Sequence, residues 1–229
     1  IEGQLANTTV LINEYTIAID KHATVSDFVV LDASNGPITI DAHVTIEPFV
    51  EIKGPCYIDQ HSTIHHHASI KESYIGKWCK VGGEVSRSII QAYTNKAHDG
   101  YLGDSMIGEW CNLGAGTTVS NLKLSYGTIS SFGNTIKSKK STECQFLGVC
   151  FGDFVKTGIQ SNFNCGTMVS NACSLIGTHP HSTFVPPFTF GSAPKYSKQT
   201  LKGFLTALER MKSRRDQILS DAQSALFKN

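Results

Sequence analysis

The stretch IDAHVTIEPFVEIKGPCYIDQHSTIHHHASI, residues 40–70, decides the fold. Ile40, Ile46, Ile52, Ile58, Ile64 and Ile70 recur at steps of six. Four residues after each stands a small or β-branched residue: Val44, Val50, Cys56, Ser62 and Ala68, with Tyr74 the exception. An amphipathic helix repeats its apolar residues at three and four, and a half-buried strand at two. A step of six fits neither. It fits a chain wound into triangular coils, each side a short strand whose aliphatic residue points inward, with the small residue filling the crowded corner. The expected fold class is therefore mainly β: a left-handed parallel β-helix of hexapeptide repeats.

Outward from this stretch, Ile75 and Val81 carry the rhythm on, and Ile107, Leu113 and Val119 resume it. IGKWCKVGG at 75–83 echoes IGEWCNLGA at 107–115, with Cys79 and Cys111 at the small inward position. A third run takes Phe151, Thr157, Phe163, Val169 and Leu175 as leaders, with Val155, Ser161, Thr167 and Cys173 inward. Residues 1–36 read as a linker or as first irregular coils, and 37–177 as the β-helix domain. Within it, 84–106 and 120–146 break the rhythm and are expected to project as loop insertions. From 178 to 229 the sequence predicts an extended connection with Pro180, Pro186, Pro187 and Pro194, then a C-terminal α-helix from about Ser197 to Phe227. Its apolar stripe comprises Leu201, Phe204, Leu205, Leu208, Met211, Ile218, Leu219, Ala222 and Leu226. Such a helix would cap the solenoid, pack along it or pair subunits.

A net charge of +1 with 17% charged residues argues against bulk nucleic-acid binding. No apolar run approaches the ~20 residues that span a bilayer, so no membrane partner is expected. Seven cysteines without CxxC spacing fit reduced, buried thiols, and a cytoplasmic location is expected. The chain starts at Ile1 instead of Met, as an excised piece of a longer protein would.

Chemistry concentrates at NKAHDGYLGD, residues 95–104, where Lys96, His98, Asp99 and Tyr101 crowd together beside rigid repeats. The pattern of His98, Tyr101, Gly103–Asp104, Ile107–Gly108, Asn112, Gly114–Ala115–Gly116–Thr117 and Asn121 resembles the acetyltransferase half of a bifunctional enzyme family, the glucosamine-1-phosphate N-acetyltransferase/N-acetylglucosamine-1-phosphate uridylyltransferases (GlmU). The resemblance implies a homotrimer with active sites between subunits, and acetyl-CoA as co-substrate lying along the coils. It implies N-acetylation of an amino-sugar 1-phosphate, glucosamine-1-phosphate, on the way to UDP-N-acetylglucosamine and the cell wall. It makes His98 the general base, a role suited to an imidazole near neutral pH, and Glu84 its orienting carboxylate. Tyr101, Asn112 and Asn121 would contact substrate, and Ala115 with Gly114 and Gly116 would lie beside acetyl-CoA, their turn offering oxyanion donors. The family's phosphate-binding arginine aligns with Lys71, a lysine with Ser86 (Arg87 adjacent), and a second lysine with Gly127 (Lys123 nearby). These departures weaken the match to the sugar phosphate. The Gly-rich phosphate loop of the family's nucleotidyltransferase half is absent, so that half would belong to an N-terminal domain elsewhere in the full-length protein.

Two other readings stand beside this one. A non-catalytic trimerising or regulatory β-helix of a sugar-phosphate nucleotidyltransferase would keep its hexads while losing phosphate contacts. His43, His61 and the run His65–His67 could instead stack as in zinc-binding γ-class carbonic anhydrases, although their spacing does not recreate that ligand set and no metal is expected. Trp78 and Trp110 are expected to pack at equivalent corners.

Overall fold

The computed structural model describes residues 1–132, 138–220, 225 and 227. The chain winds as a left-handed parallel β-solenoid with one C-terminal helix. Three parallel sheets form its sides, starting at Gln4–Leu5, Val10–Ile12 and Ile17–Ile19, and successive coils add one strand to each. The first thirty-six residues therefore belong to the stack. The leaders and small residues read from the sequence line its axis: Ile40, Ile46, Ile52, Ile58, Ile64 and Ile70 are at most 1% exposed, as are Val44, Val50, Ser62 and Ala68. Tyr74 is displaced outward because Ser73 takes the inward place, one residue early in a shortened corner. Ser73, Ser88 and Ser105 then continue as a ladder, each hydroxyl accepting from the next coil's amide.

The expected loop at 84–106 is not a loop. Glu84–Ser86, Ile89–Ile90, Asn95–Lys96 and Tyr101–Gly103 pair in register with the coils on either side. The rhythm breaks there because residues are lost from corners, not inserted. Val85, Ile90, Lys96 and Leu102 hold the inward places, all at most 2% exposed. The expectation at 120–146 differs in outcome: an antiparallel hairpin, Ser130–Phe132 with Lys139–Ser141, leaves the stack there, and residues 133–137 lie outside the described residues.

The proline-bearing segment is also part of the solenoid. Phe184–Val185 pairs with Met168–Val169, and Thr189–Ser192 adds to the first sheet before folding back on Lys195–Lys198. That hairpin displaces the expected helix start, so the helix is Leu201–Ser213, capped by Thr200, whose hydroxyl accepts from the Gly203 amide. Asp216, at φ +53°, turns the chain away after it. Phe204 and Leu208 bury against Phe154, Ala172 and Phe188, so the helix runs along one corner of the solenoid. Ala222 and Leu226 of the anticipated stripe lie outside the described residues.

That corner carries an aromatic ladder. His22, His43, His61, Trp78, Tyr93 and Trp110 stack successively at centroid spacings of 5.1, 4.8, 4.2, 6.4 and 4.3 Å. His43 through Trp110 adopt φ near +60°, a conformation costing non-glycine residues ~1–3 kcal/mol. Ring stacking, at ~0.5–1.5 kcal/mol a pair, offsets much of it. Of the histidines of the zinc reading, His43 and His61 thus lie face to face, His67 stacks on Phe49, and His65 and His66 turn to Glu47. Among the described residues no group of three or more His, Cys, Asp or Glu could hold a metal. Burial pushes the Cys79 and Cys111 thiols up to about 12, and all seven cysteines are free.

Candidate active site

The site arises from one missing stretch of corner. His65, His66, His67 and Ala68 connect the first sheet to the second in one coil, and Ala97, His98, Asp99 and Gly100 do so two coils on. Between them only Gly82 and Gly83 make the turn, so Ser69 pairs with Glu84, fifteen positions later, where Thr63 pairs with Lys80, seventeen later. The short corner is drawn towards the axis and leaves a notch of about 320 Å³ between its neighbours. Only glycine fits it. A Cβ on Gly82 would stand 2.5 Å from the Ala97 carbonyl, and Gly83 turns at φ +69° with the His98 carbonyl 3.0 Å from its ideal Cβ.

His98 is exposed at the rim of this notch, facing His65, His66, Ala115, Gly116 and Gln160 around it. In the Gly114–Ala115–Gly116 turn, the Gly114 amide donates to the Thr157 carbonyl and the Gly116 amide to that of Asp99. The Ala115 N–H bonds to no protein group among the described residues. One coil below, Glu47 accepts from both histidines: its Oε1 lies 3.1 Å from His65 Nδ1 and its Oε2 3.1 Å from His66 Nδ1. Desolvation pushes the Glu47 carboxyl up, but the hydrogen bonds from His66 and His65 outweigh it and its pKa falls.

Lys96 anchors the corner from beneath. It fills the inward place above Val81, where an aliphatic residue would be expected, and its ammonium donates to the carbonyls of Gly82 and His98, both at 2.8 Å. Burial pushes it down to about 8, against Asp99 and Glu84, which pull it up. Because its pKa is normally 10.5, the unfolded chain binds the extra proton between those values. The contribution of Lys96 to stability should therefore rise as pH climbs from about 8 to 10.5, by up to ~3 kcal/mol, against the opposite trend of the buried thiols, which a Lys96→Met variant shares. Urea unfolding across that range should show Lys96→Met lacking this rise; parallel curves for the two proteins would contradict the assignment.

The second sheet holds the remaining expected contacts, and they mostly satisfy one another. The Arg87 guanidinium grips Asp104 with Nε to Oδ1 at 2.7 Å and Nη2 to Oδ2 at 2.9 Å. Asn121 donates to the Tyr101 hydroxyl at 2.9 Å and to Asp104. Gly103 makes room, since the Tyr101 oxygen lies 2.1 Å from where its Cβ would be. The Asp104 hydrogen bonds hold the Arg87 pKa up and occupy the fork that would otherwise clamp a phosphate. Lys71 lies beside Glu72 at 3.5 Å, and Lys123 donates to the Thr128 carbonyl of its own hairpin.

Two placements differ from the sequence expectation. Glu84 lines a neighbouring groove with His67, Asp99 and Tyr101, and no hydrogen bond joins it to His98 among the described residues. Asn112 sits on the first sheet above Asn95, under the C-terminal helix, and is not brought to His98 within the chain. Sequence reasoning grouped Lys96 with His98 but missed that Lys96 is buried beneath the corner, and that His65 and His66, held by Glu47, share the notch with His98. The Gly82–Gly83 pair, where the step of six fails, was the available signal.

No protein-family model matches this sequence, and no curated protein matches it. Solved structures do. The UDP-N-acetylglucosamine O-acyltransferase (LpxA) of Moraxella catarrhalis aligns at a TM-score of 0.60 and 14% identity, over 98% of this chain and 82% of that one. The UDP-N-acetylglucosamine acyltransferase of Francisella novicida aligns at 0.45 and 14%, over 98% and 78%. The likeness to the Moraxella structure places this chain in the fold of left-handed β-helices built from hexapeptide repeats.

Proposed function

We propose that this chain is an acyltransferase that moves the acetyl group of acetyl-CoA to the amine of an amino-sugar 1-phosphate. His98 takes the proton from the amine as nitrogen attacks the thioester carbonyl. The new C–N bond forms, the C–S bond breaks, and CoA leaves as the thiol. The Ala115 N–H is the donor that meets the oxygen as it gains charge. The observation that supports this reading is the notch itself, lined by exposed His98 and by Ala115, whose N–H has no partner among the described residues.

The motif's resemblance supplies the acceptor, glucosamine-1-phosphate, as well as the homotrimer and a nucleotidyltransferase domain preceding the chain, and the reduced thiols supply the cytoplasmic setting. The acceptor is the least anchored part, because Arg87 and Lys123 are already bonded within the chain. That self-satisfaction favours a second reading, a trimerising β-helix without activity. Thiol release with acetyl-CoA and a panel of acceptors separates the two. Turnover with glucosamine-1-phosphate supports the first; turnover only with a UDP-sugar hydroxyl corrects the acceptor; no release with any of them leaves the second.

A further inference from the structure

We propose that the cleft between the C-terminal helix and the first sheet binds a phosphorylated small molecule. The cleft encloses about 500 Å³ and is lined by Lys80, Lys156, Arg210, Arg214 and Arg215, with no aspartate or glutamate among its described lining residues. In a chain whose net charge is only +1 this is a local excess of positive charge. None of the five forms an ion pair among the described residues. Arg210 and Arg214 stand one helical turn apart, where like charges repel unless an anion lies between them. Arg215 is already oriented: it donates to the Trp78 carbonyl at 3.2 Å and to Asn95 Oδ1 at 2.8 Å. Lys156 is half-buried, and desolvation lowers its pKa, a burden that a bound anion would relieve.

The charge count suits a ligand with more than one phosphate charge, and Met211 and Tyr93 give its uncharged part an apolar wall. Guanidinium forks meet phosphate in bidentate fashion, and lysines act as point charges beside them. Asn95 in this cleft and His98 at the notch are three residues apart along the chain, ~10 Å in extended backbone. Two sources share the chemistry: the phosphorylated nucleotide end of the acyl thioester, which rests on the reaction proposed above, or a separate nucleotide, which does not.

Trp110 lines the cleft and is one of only two tryptophans, so ligand titration can be followed by intrinsic fluorescence. The titrants are CoA, pantetheine, 3′,5′-ADP and UDP, with the wild-type chain and a Lys156→Gln/Arg214→Gln double variant checked by circular dichroism. The proposal expects saturable binding of at least one phosphorylated titrant, none of pantetheine, at least a 10-fold weakening in the double variant, and loss of affinity with added salt. CoA and 3′,5′-ADP binding tighter than UDP identifies the thioester as source; UDP binding tighter identifies a separate nucleotide. Absence of saturation by every phosphorylated titrant, or equal affinity in the folded double variant, overturns the proposal. Binding without any acyl transfer by the wild type would remove the proposed reaction while leaving this site standing.

Discussion

His98→Ala lowers thiol release from acetyl-CoA by ~10²–10⁴-fold, the usual contribution of a positioned general base. The loss should fall on kcat, because the imidazole makes no hydrogen bond among the described residues and the coils do not depend on it. Only its backbone carbonyl is structural, accepting from Lys96 Nζ, and alanine keeps that carbonyl. Circular dichroism and thermal unfolding should therefore be unchanged. Glu84→Gln should cost far less, since no hydrogen bond joins Glu84 to His98 among the described residues. A variant lacking His98 that retained full activity would reject the imidazole as base, whatever became of the acyltransferase reading.

Ile64→Asp should abolish cooperative folding. Ile64 is fully buried, stacked in register between Ile46 below and Val81 above. Deleting such a side chain costs ~2–5 kcal/mol, and an unpaired carboxylate in its place adds several more. The total rivals the ~5–15 kcal/mol that stabilises a whole domain. Repeat stacks transmit the damage poorly, because each coil contacts only its neighbours. Amide hydrogen exchange should therefore show protection lost first in the coils around residue 64, whereas Ile64→Val should cost ~0.5–1.5 kcal/mol. A fold that tolerated the aspartate would mean that this column is not the core.

The fold was legible wherever one residue type answered one geometric demand. The isoleucines at steps of six could do nothing else, and every one of them lies on the axis. Reading failed where the period changed for a physical reason that composition hides. At 84–106 the corners shorten, so Lys96 takes an aliphatic place and the hexads slip out of phase without any loop being inserted. At 178–198 the segment completes a final coil with Pro186 and Pro187 at its corner, and Pro194 turns an edge hairpin where the helix was expected to begin.

The site was legible in part. The spacing from His98 to Asn121 put the candidate residues on neighbouring coils, and Tyr101 and Asn121 do meet. Their neighbours were invisible because a solenoid brings together residues about fifteen to eighteen positions apart, so His65 and His66 reach the notch from a coil beneath, with Glu47 holding them from one coil lower. Asn112 shows the converse. It is close to the motif in sequence, but the strand carries it onto the first sheet, beneath the helix instead of beside His98.

The central claim is that the retracted Gly82–Gly83 corner is where a thioester meets the His98 imidazole. A crystal structure of this chain with CoA bound tests it most directly. The account predicts the pantetheine sulfur in the notch, within a hydrogen bond or one water of His98 and close to the Ala115 N–H. A thiol lodged on another face of the solenoid, with the notch empty beside it, would contradict it.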